Sequence, residues 1–149
     1  MKVLEKISDI NKKLKDLKKS NKKIVMCHGV FDVLHLGHIK HFEEAKLLGD
    51  ILVVSVTSNQ YVNKGFDRPY FDLNVRMKAL SALEAVDFVI PSYNPTAIQN
   101  LKTIKPSFYT KGPDYISKPD ITQNLNEEKK ALKKFKGKIY FTKGAQYSS

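Results

Sequence analysis

Ile24-Val25-Met26-Cys27-His28-Gly29-Val30-Phe31-Asp32-Val33-Leu34-His35-Leu36-Gly37-His38 is the stretch on which the reading of this chain turns. Its first four residues are apolar without alternation, a run of the length that suits a strand buried on both faces. Gly29 ends the run. Beyond it Ile39, Phe42, Ala45, Leu47 and Leu48 recur at helical spacing, and after Gly49-Asp50 the apolar run returns as Ile51 to Val56. Together these make a strand-helix-strand unit, and such a crossover implies parallel strands.

The unit repeats outward. Thr57 to Tyr70 holds Gly65 and Pro69 without a sustained period and reads as a loop long enough to invite a functional explanation. Asp72 is placed to cap a helix running through Leu83, and Val86 to Ile90 is the expected third strand. Asn94-Pro95 reads as a helix start, since Asn accepts an amide at the cap and Pro lacks only a donor that the first turn leaves unpaired. Ile98, Leu101 and Ile104 give that helix its stripe. Pro106 stops it before a fourth strand at Ser107-Phe108-Tyr109-Thr110. Residues 120 to 136 read as one helix or two, Gly137 as a turn, and Lys138 to Thr142 as the fifth strand. The expectation is a single α/β domain, Rossmann-like and doubly wound on a five-stranded parallel sheet, with ligands beyond the carboxyl ends of the strands.

Composition narrows the function. The 149 residues carry 26 Lys plus Arg against 15 Asp plus Glu, a formal charge of +11, with 42% apolar residues. The charge is uneven: residues 1 to 23 hold nine Lys against three acids, residues 127 to 143 seven against two, and residues 24 to 126 ten of each sign. In the first segment Val3, Leu4, Ile7, Ile10, Leu14 and Leu17 recur every three or four residues. Residues 1 to 21 therefore read as an amphipathic helix packed on a domain of residues 22 to 149, with its lysines solvated. A basic nucleic-acid-binding module is the competing class, although such proteins usually spread Lys and Arg across a reading surface rather than gather them on terminal segments. The lone Cys27 cannot make an internal disulfide, Glu5 and Asp9 interrupt any secretory signal, and no apolar run approaches the roughly 20 residues of a membrane span. A cytoplasmic location is expected.

The chemistry concentrates between His28 and His38, where the first strand hands over to its helix. His35 and His38, three apart, project from one face of the first helical turn beside amides that favour phosphate. Gly37 leaves room for a ligand. Imidazole donors at that point can stabilise charge developing on a phosphoryl group, the arrangement wanted for phosphoryl or nucleotidyl transfer. A metal cluster of His35, His38 and His41 has no cysteine or carboxylate at common zinc spacing. His41 reads as a polar helix residue, Cys27 and His28 as core or rim, and Glu43, Glu44 and Lys46 as an exposed helix face.

His35-Leu36-Gly37-His38, preceded by Gly29-Val30-Phe31-Asp32, resembles the His-x-Gly-His signature of the cytidylyltransferase-like nucleotidyltransferases. Lys64-Gly65, Arg68-Pro69, Arg76, Ala85-Val86-Asp87 and Lys111-Gly112-Pro113-Asp114-Tyr115 continue the match. The pattern is most similar to the adenylyltransferase domain of the bifunctional heptose kinase/adenylyltransferases, with glycerol-3-phosphate cytidylyltransferases further off. The resemblance implies attack by a sugar 1-phosphate on the α-phosphorus of a nucleoside triphosphate, most of all ATP, or alternatively by glycerol 3-phosphate or another polyol phosphate on CTP, with Mg²⁺ bound mainly through the triphosphate and no protein metal ligand directly implied. It also admits a homodimer. By the same resemblance His35, His38, Lys64 and Arg76 are catalytic. Gly29, Val30, Phe31, Asp32, Gly37, Lys111, Gly112, Asp114, Tyr115, Tyr147, Ser148 and Ser149 bind nucleotide, and charges such as Lys64 and Arg76 should contribute little to the core.

At the end of the chain the family's Gly-hydrophobic-Ser-Thr-Thr motif is matched only by Gln146-Tyr147-Ser148-Ser149, and Lys143 stands near the place where cytidylyltransferases carry an Arg. Because a helix needs several residues past its cap to orient its amides, the expectation is that a further Ser or Thr and a helical segment follow residue 149, with a second domain either following or absent.

Overall fold

In a computed structural model, residues 1–62, 65–112 and 119–143 are described, without the side chains of 119–124. Five strands, β1 (Ile24–Gly29), β2 (Ile51–Thr57), β3 (Phe88–Ser92), β4 (Phe108–Lys111) and β5 (Lys138–Phe141), form one parallel sheet in the order β3-β2-β1-β4-β5. The helices are α1 (Ile7–Lys19), α2 (Leu36–Lys46), α3 (Leu73–Ser81), α4 (Ile98–Ile104) and α5 (Pro119–Lys133), which resolves the ambiguity over residues 120 to 136 in favour of one helix.

Alternation along the strands divides the core. Val25, Cys27, Leu52, Val54 and Val56 face α2 and α3, meeting Phe42, Ala45, Met77 and Leu80. Met26, Val53, Ile90 and Tyr109 face the opposite layer, meeting Ile10 of α1, Leu101 and Ile104 of α4 and Leu132 of α5. A period of two on each strand thus builds a three-layer sandwich with helices on both faces. The strand order reverses direction at β1, between β2 and β4, and that is the switch point where ligands of such sheets bind.

Several boundaries differ from the sequence expectation for identifiable reasons. The amphipathic pattern from Val3 onward is not all helix. Val3 bridges Val89 in parallel, with Leu4 N–H donating to Val89 O and Val89 N–H to Lys2 O, so the first residues cover part of the β3 edge and α1 begins only at Ile7. Ile7 itself is exposed. Asn21 ends α1 because it takes the left-handed conformation (φ 55°), with Asn21 N–H on Lys18 O and Lys22 N–H on Leu17 O, the paired bonds of a Schellman stop. Asn94-Pro95 does not open α4. Thr96 Oγ1 accepts the Ile98 amide instead and moves the start three residues on. The third strand is shifted to Phe88–Ser92 and includes Pro91, tolerated because β3 is an edge strand.

Asp72 does not cap α3 either. Its carboxylate accepts Asn59 Nδ2–H, and Asn59 Oδ1 takes the Leu73 amide, so a residue from the 3-10 turn Asn59–Tyr61 caps the helix from a distance. Lys46 and Glu44, expected on an exposed face, are engaged. Lys46 pairs with Asp87, whose carboxylate also accepts the Leu52 amide, and Glu44 accepts the Lys143 amide. No described helix is long and apolar enough to cross a membrane.

Candidate active site

The site is assembled at the carboxyl end of β1. Phe31 adopts φ +50°, a left-handed turn that folds its ring back over Gly29. A Cβ at Gly29 would lie 2.8 Å from the ring's Cζ, so only glycine permits the fold. The Phe31 ring meets Phe42 of the core edge-on at 5.2 Å between centroids and His38 at 5.8 Å, and it therefore links the hydrophobic layer to one of the two signature histidines.

The histidines start α2 as well as facing outward from it. His35 Nδ1 accepts the Gly37 amide at 2.9 Å, and His38 Nδ1 accepts the His35 amide at 3.2 Å, so each imidazole caps backbone donors that the first helical turn leaves open. This fixes the chemistry of the rings. A nitrogen that accepts an amide proton carries none, so in both residues the N–H is on Nε2, the atom further from the backbone. The rings sit 4.1 Å apart between centroids. Two adjacent rings thus carry Nε2–H donors at a helix N-terminus, where the amide dipoles also favour negative charge. Gly37 makes this arrangement possible, because a Cβ there would fall 2.7 Å from His35 Cε1. Gly37→Ala should push His35 off its amide, lowering turnover by roughly tenfold or more while the fold persists, since an overpacked contact at a half-exposed turn costs about 1–3 kcal/mol. A turnover assay beside a melting curve checks this, and unchanged turnover would mean that His35 is not held by its contact with Gly37.

The long loop is tied to the same turn through Asp32. Its carboxylate accepts the Tyr70 amide at 2.7 Å, the Phe71 amide at 3.0 Å and Arg68 at 3.3 Å, while the Arg68 guanidinium stacks 4.1 Å over Tyr70. Burial alone would raise this carboxyl, but the two amides and Arg68 outweigh it and hold it below its ordinary value. The Asp32 side chain therefore acts as a clamp for the loop. The carboxylate expected to contact nucleotide is thus engaged within the chain.

Arg76 departs furthest from expectation. It is 1% exposed, and its guanidinium donates to Phe71 O at 2.9 Å, Val30 O at 2.9 Å, Thr57 O at 2.7 Å and Asn59 Oδ1 at 2.7 Å. Rather than a cleft-facing charge of little structural weight, it is the keystone beneath the β1–α2 turn, the end of β2 and the loop. Lys111, expected to meet nucleotide, is 5% exposed and ion-paired at 2.7 Å with Glu128 of α5, whose other oxygen accepts the Tyr109 hydroxyl. At Gly112, just past β4, a Cβ would meet nothing within 4 Å among the described residues. Lys64, Asp114, Tyr115, Tyr147, Ser148 and Ser149 lie outside the described residues.

A second polar layer lies under the edge. His28 Nδ1 and Ser55 Oγ are 2.9 Å apart, Asn100 of α4 donates to Ser55 Oγ at 2.8 Å, and Thr57 Oγ1 donates to Gly29 O at 3.3 Å. On the other side of the sheet His41 meets Thr142 just beyond β5. Burial, with the Lys111 charge adding to it, pushes His28 down to about 4, and burial also takes His41 to about 4 against the opposing pull of Glu44. Both rings are neutral at pH 7. The unfolded chain takes up protons near 6.5 that the folded chain refuses until about 4, so stability is full above about 6.5 and falls as the pH is lowered through that window. Urea midpoints at pH about 7.5 and 5 should differ, and His41→Gln should shrink the difference; an undiminished difference would acquit His41. Cys27, buried and within 2.7 Å of Thr110 Oγ1, has its thiol pushed up to about 12 by burial and is unreactive.

The model of the cytidylyltransferase-like family matches residues 26–149. The chain belongs to the cytidylyltransferase-like family of nucleotidyltransferases. Among curated family relatives, it is 40% identical over 126 residues to the bifunctional protein HldE of Nitratiruptor sp., covering 83% of this chain and 27% of that protein. It is 37% identical over 140 residues to the HldE of Aliarcobacter butzleri, covering 93% and 29%. The chain therefore spans little more than a quarter of the length of these relatives. The lipopolysaccharide core biosynthesis protein of Thermoplasma volcanium superposes with a TM-score of 0.66 at 33% identity, covering 82% of this chain and 97% of that one. The pantoate-β-alanine ligase of Francisella tularensis shares the fold with a TM-score of 0.65 at 21% identity, covering 95% and 66%.

Seen against the family motifs, the described structure brings together Gly29, Val30, Phe31, Asp32, His35, Gly37, His38 and Arg68, with Arg76 below them. Sequence reasoning missed Asn59, which caps α3 and receives Arg76, and Glu128, which holds Lys111. Glu128 had a signal: it falls in the apolar stripe of Leu125, Ala131, Leu132 and Phe135, where an unpaired carboxylate would be expensive. Asn59 had none, because its partners are distant in sequence.

Proposed function

We propose that the chain transfers AMP from ATP to a sugar 1-phosphate, forming a nucleoside-diphosphate sugar and pyrophosphate, a step of carbohydrate metabolism. The observation that carries this reading is the pair of capped imidazoles at the start of α2, with both Nε2–H groups turned away from the backbone at the switch point of the sheet. A phosphate oxygen of the sugar attacks the α-phosphorus, the bond from that phosphorus to the bridging oxygen breaks, and pyrophosphate leaves with the electron pair. No protein nucleophile takes part, so the chain's contribution is orientation and charge stabilisation. His35 and His38 donate to the transferring phosphoryl oxygens as negative charge grows on them. The Gly29 to Phe31 backbone supplies the wall for the nucleoside, and Lys64, Gly112, Asp114, Tyr115 and Tyr147 to Ser149 complete the site on the strength of the family resemblance.

Among the described residues the donor set does not suit a resident metal. Both Nδ1 atoms accept amides, Asp32 is committed to the loop, and among the described residues no three His, Cys, Asp or Glu side chains gather as metal ligands. In this reading, as the family resemblance implies, Mg²⁺ enters with the triphosphate. The choice of ATP rests on similarity to the HldE proteins and on Lys143, which lacks the planar fork of the Arg that cytidylyltransferases carry nearby.

The test is pyrophosphate release across ATP, CTP, UTP and GTP against heptose, hexose and glycerol phosphates. ATP with a sugar 1-phosphate should be the fastest pair. CTP with a polyol phosphate as the fastest pair would replace the reading by a cytidylyltransferase. No release from any pair, together with salt-sensitive binding to arbitrary DNA or RNA, would replace it by a nucleic-acid-binding module.

A further inference from the structure

At the opposite end of the sheet from His35 and His38, about 17 Å away along β1 at the usual strand rise, α1 and the end of α4 enclose a groove of about 370 Å³. Lys15, Lys18 and Lys22 border it from α1 and its stop, and Lys105 borders it from the end of α4. Its floor is Leu14, Ile24 and Ile104, and its other polar lining is Thr103 and Ser107. No carboxylate lines it. None of the four lysines forms an ion pair among the described residues, where the pairs present involve Lys40, Lys46, Arg68, Lys111 and Lys130.

The lysines are not there to finish the helices. The carbonyls at the end of α1 are already satisfied by the Schellman bonds, with Asp16 O, Leu17 O and Lys18 O accepting the amides of Ser20, Lys22 and Asn21. At the end of α4 Leu101 O accepts the amide of Lys105. Both ends turn through a left-handed residue, Asn21 at φ 55° and Lys105 at φ 51°. Those turns bring Lys22 and Lys105 to the rim of one concavity beside Lys15 and Lys18, which lie one helical turn apart. Four ammonium groups held around an apolar floor repel one another and are relieved by a bound anion.

The shape selects among anions. The volume falls in the range of about 300–1,000 Å³ of small-ligand sites, no aromatic side chain lines the groove to stack a base, and a bilayer surface cannot enter a concavity. Lysines, as flexible point charges, suit a phosphate chain whose oxygens need no planar recognition. The Ser107 hydroxyl, without another hydrogen bond among the described residues, adds a donor at the groove wall. We propose that this groove binds a compact polyphosphate anion, either pyrophosphate or the phosphate chain of a nucleoside di- or triphosphate, at a site separate from the one at the carboxyl edge. This inference does not depend on the proposed reaction.

The experiment is a titration of the ¹⁵N-labelled full chain with pyrophosphate and with tripolyphosphate at low salt without Mg²⁺, followed by amide NMR. The amides of Lys15 to Lys22 and Thr103 to Ser107 should shift saturably. In Lys18→Glu/Lys22→Glu, whose exposed side chains leave the fold intact by circular dichroism, the affinity read from those amides should fall at least tenfold, while shifts at Gly37 and His38 remain. Shifts that do not saturate, that sodium sulfate at matched ionic strength reproduces, or that survive the double substitution would overturn the proposal. So would engagement of the same amides by anionic vesicles or an RNA oligonucleotide but not by pyrophosphate. The double variant should release pyrophosphate from substrates at the wild-type rate, so an inactive wild-type protein would count against the proposed reaction and leave this site standing.

Discussion

His38→Ala and His35→Ala should each lower kcat by about a hundredfold or more while leaving the KM for the triphosphate within a few-fold of the wild type. The asymmetry follows from timing: a donor aimed at a phosphoryl oxygen gains strength as charge accumulates there and contributes little to ground-state binding. Both residues also have a structural task, since each accepts a backbone amide at the start of α2. Loss of such a cap alone costs about 1 kcal/mol of stability. His35→Asn separates the two roles, because an Asn oxygen can accept the Gly37 amide as a helix cap but offers no imidazole N–H to the phosphate. The asparagine variant should melt near the wild type and still be slow in single turnover. Wild-type rates in His35→Asn would reduce His35 to a cap.

Much of the fold was legible because its signals are local. Ile24 to Cys27 and Ile51 to Val54 are apolar without interruption since both faces of a central parallel strand are covered, and Leu101 and Ile104 of the expected stripe, joined by Ala97 rather than Ile98, lie in the layer facing Met26 and Val53. The errors came where a distant residue outcompeted a local one. Asn59 takes the Leu73 amide that Asp72 was positioned to accept, and residues 2 to 4 leave the helical pattern because the β3 edge offers them sheet hydrogen bonds. At the site, spacing alone located His35 and His38, and the chemistry of a helix N-terminus gave their direction. It could not reveal that the two histidines cap each other's turn, nor which nitrogen carries the proton. Charge was the least legible property. By resemblance Arg76 reads as catalytic and Lys111 as nucleotide-binding, yet in the fold one is engaged by backbone carbonyls and Asn59 and the other by Glu128, because sequence shows that a cation is present but not which acceptors the fold brings to it.

Arg76→Met should be the most destabilising single substitution around the site, costing about 3 kcal/mol or more. The side chain is 1% exposed and donates to four acceptors on four segments: Val30 in the β1–α2 turn, Thr57 at the end of β2, Asn59 in the 3-10 turn and Phe71 before α3. Removing it strands the buried Thr57 carbonyl and takes a donor from the part-buried Val30 and Phe71 carbonyls, and a buried group left unsatisfied costs about 1–3 kcal/mol. Arg76→Lys should recover only part of the loss, because a single ammonium cannot span the fork that a guanidinium presents to Phe71 O, Val30 O, Thr57 O and Asn59 Oδ1 together. The damage should also reach the chemistry indirectly. Phe71 is held by Arg76 through its carbonyl and by Asp32 through its amide, so a loosened Arg76 frees the loop that Asp32 clamps beside the histidines. Urea denaturation would measure the first effect, and turnover well below the melting transition the second. A variant that melts within about a degree of the wild type yet binds triphosphate poorly would return Arg76 to a direct phosphate contact and overturn its role as the support beneath the site.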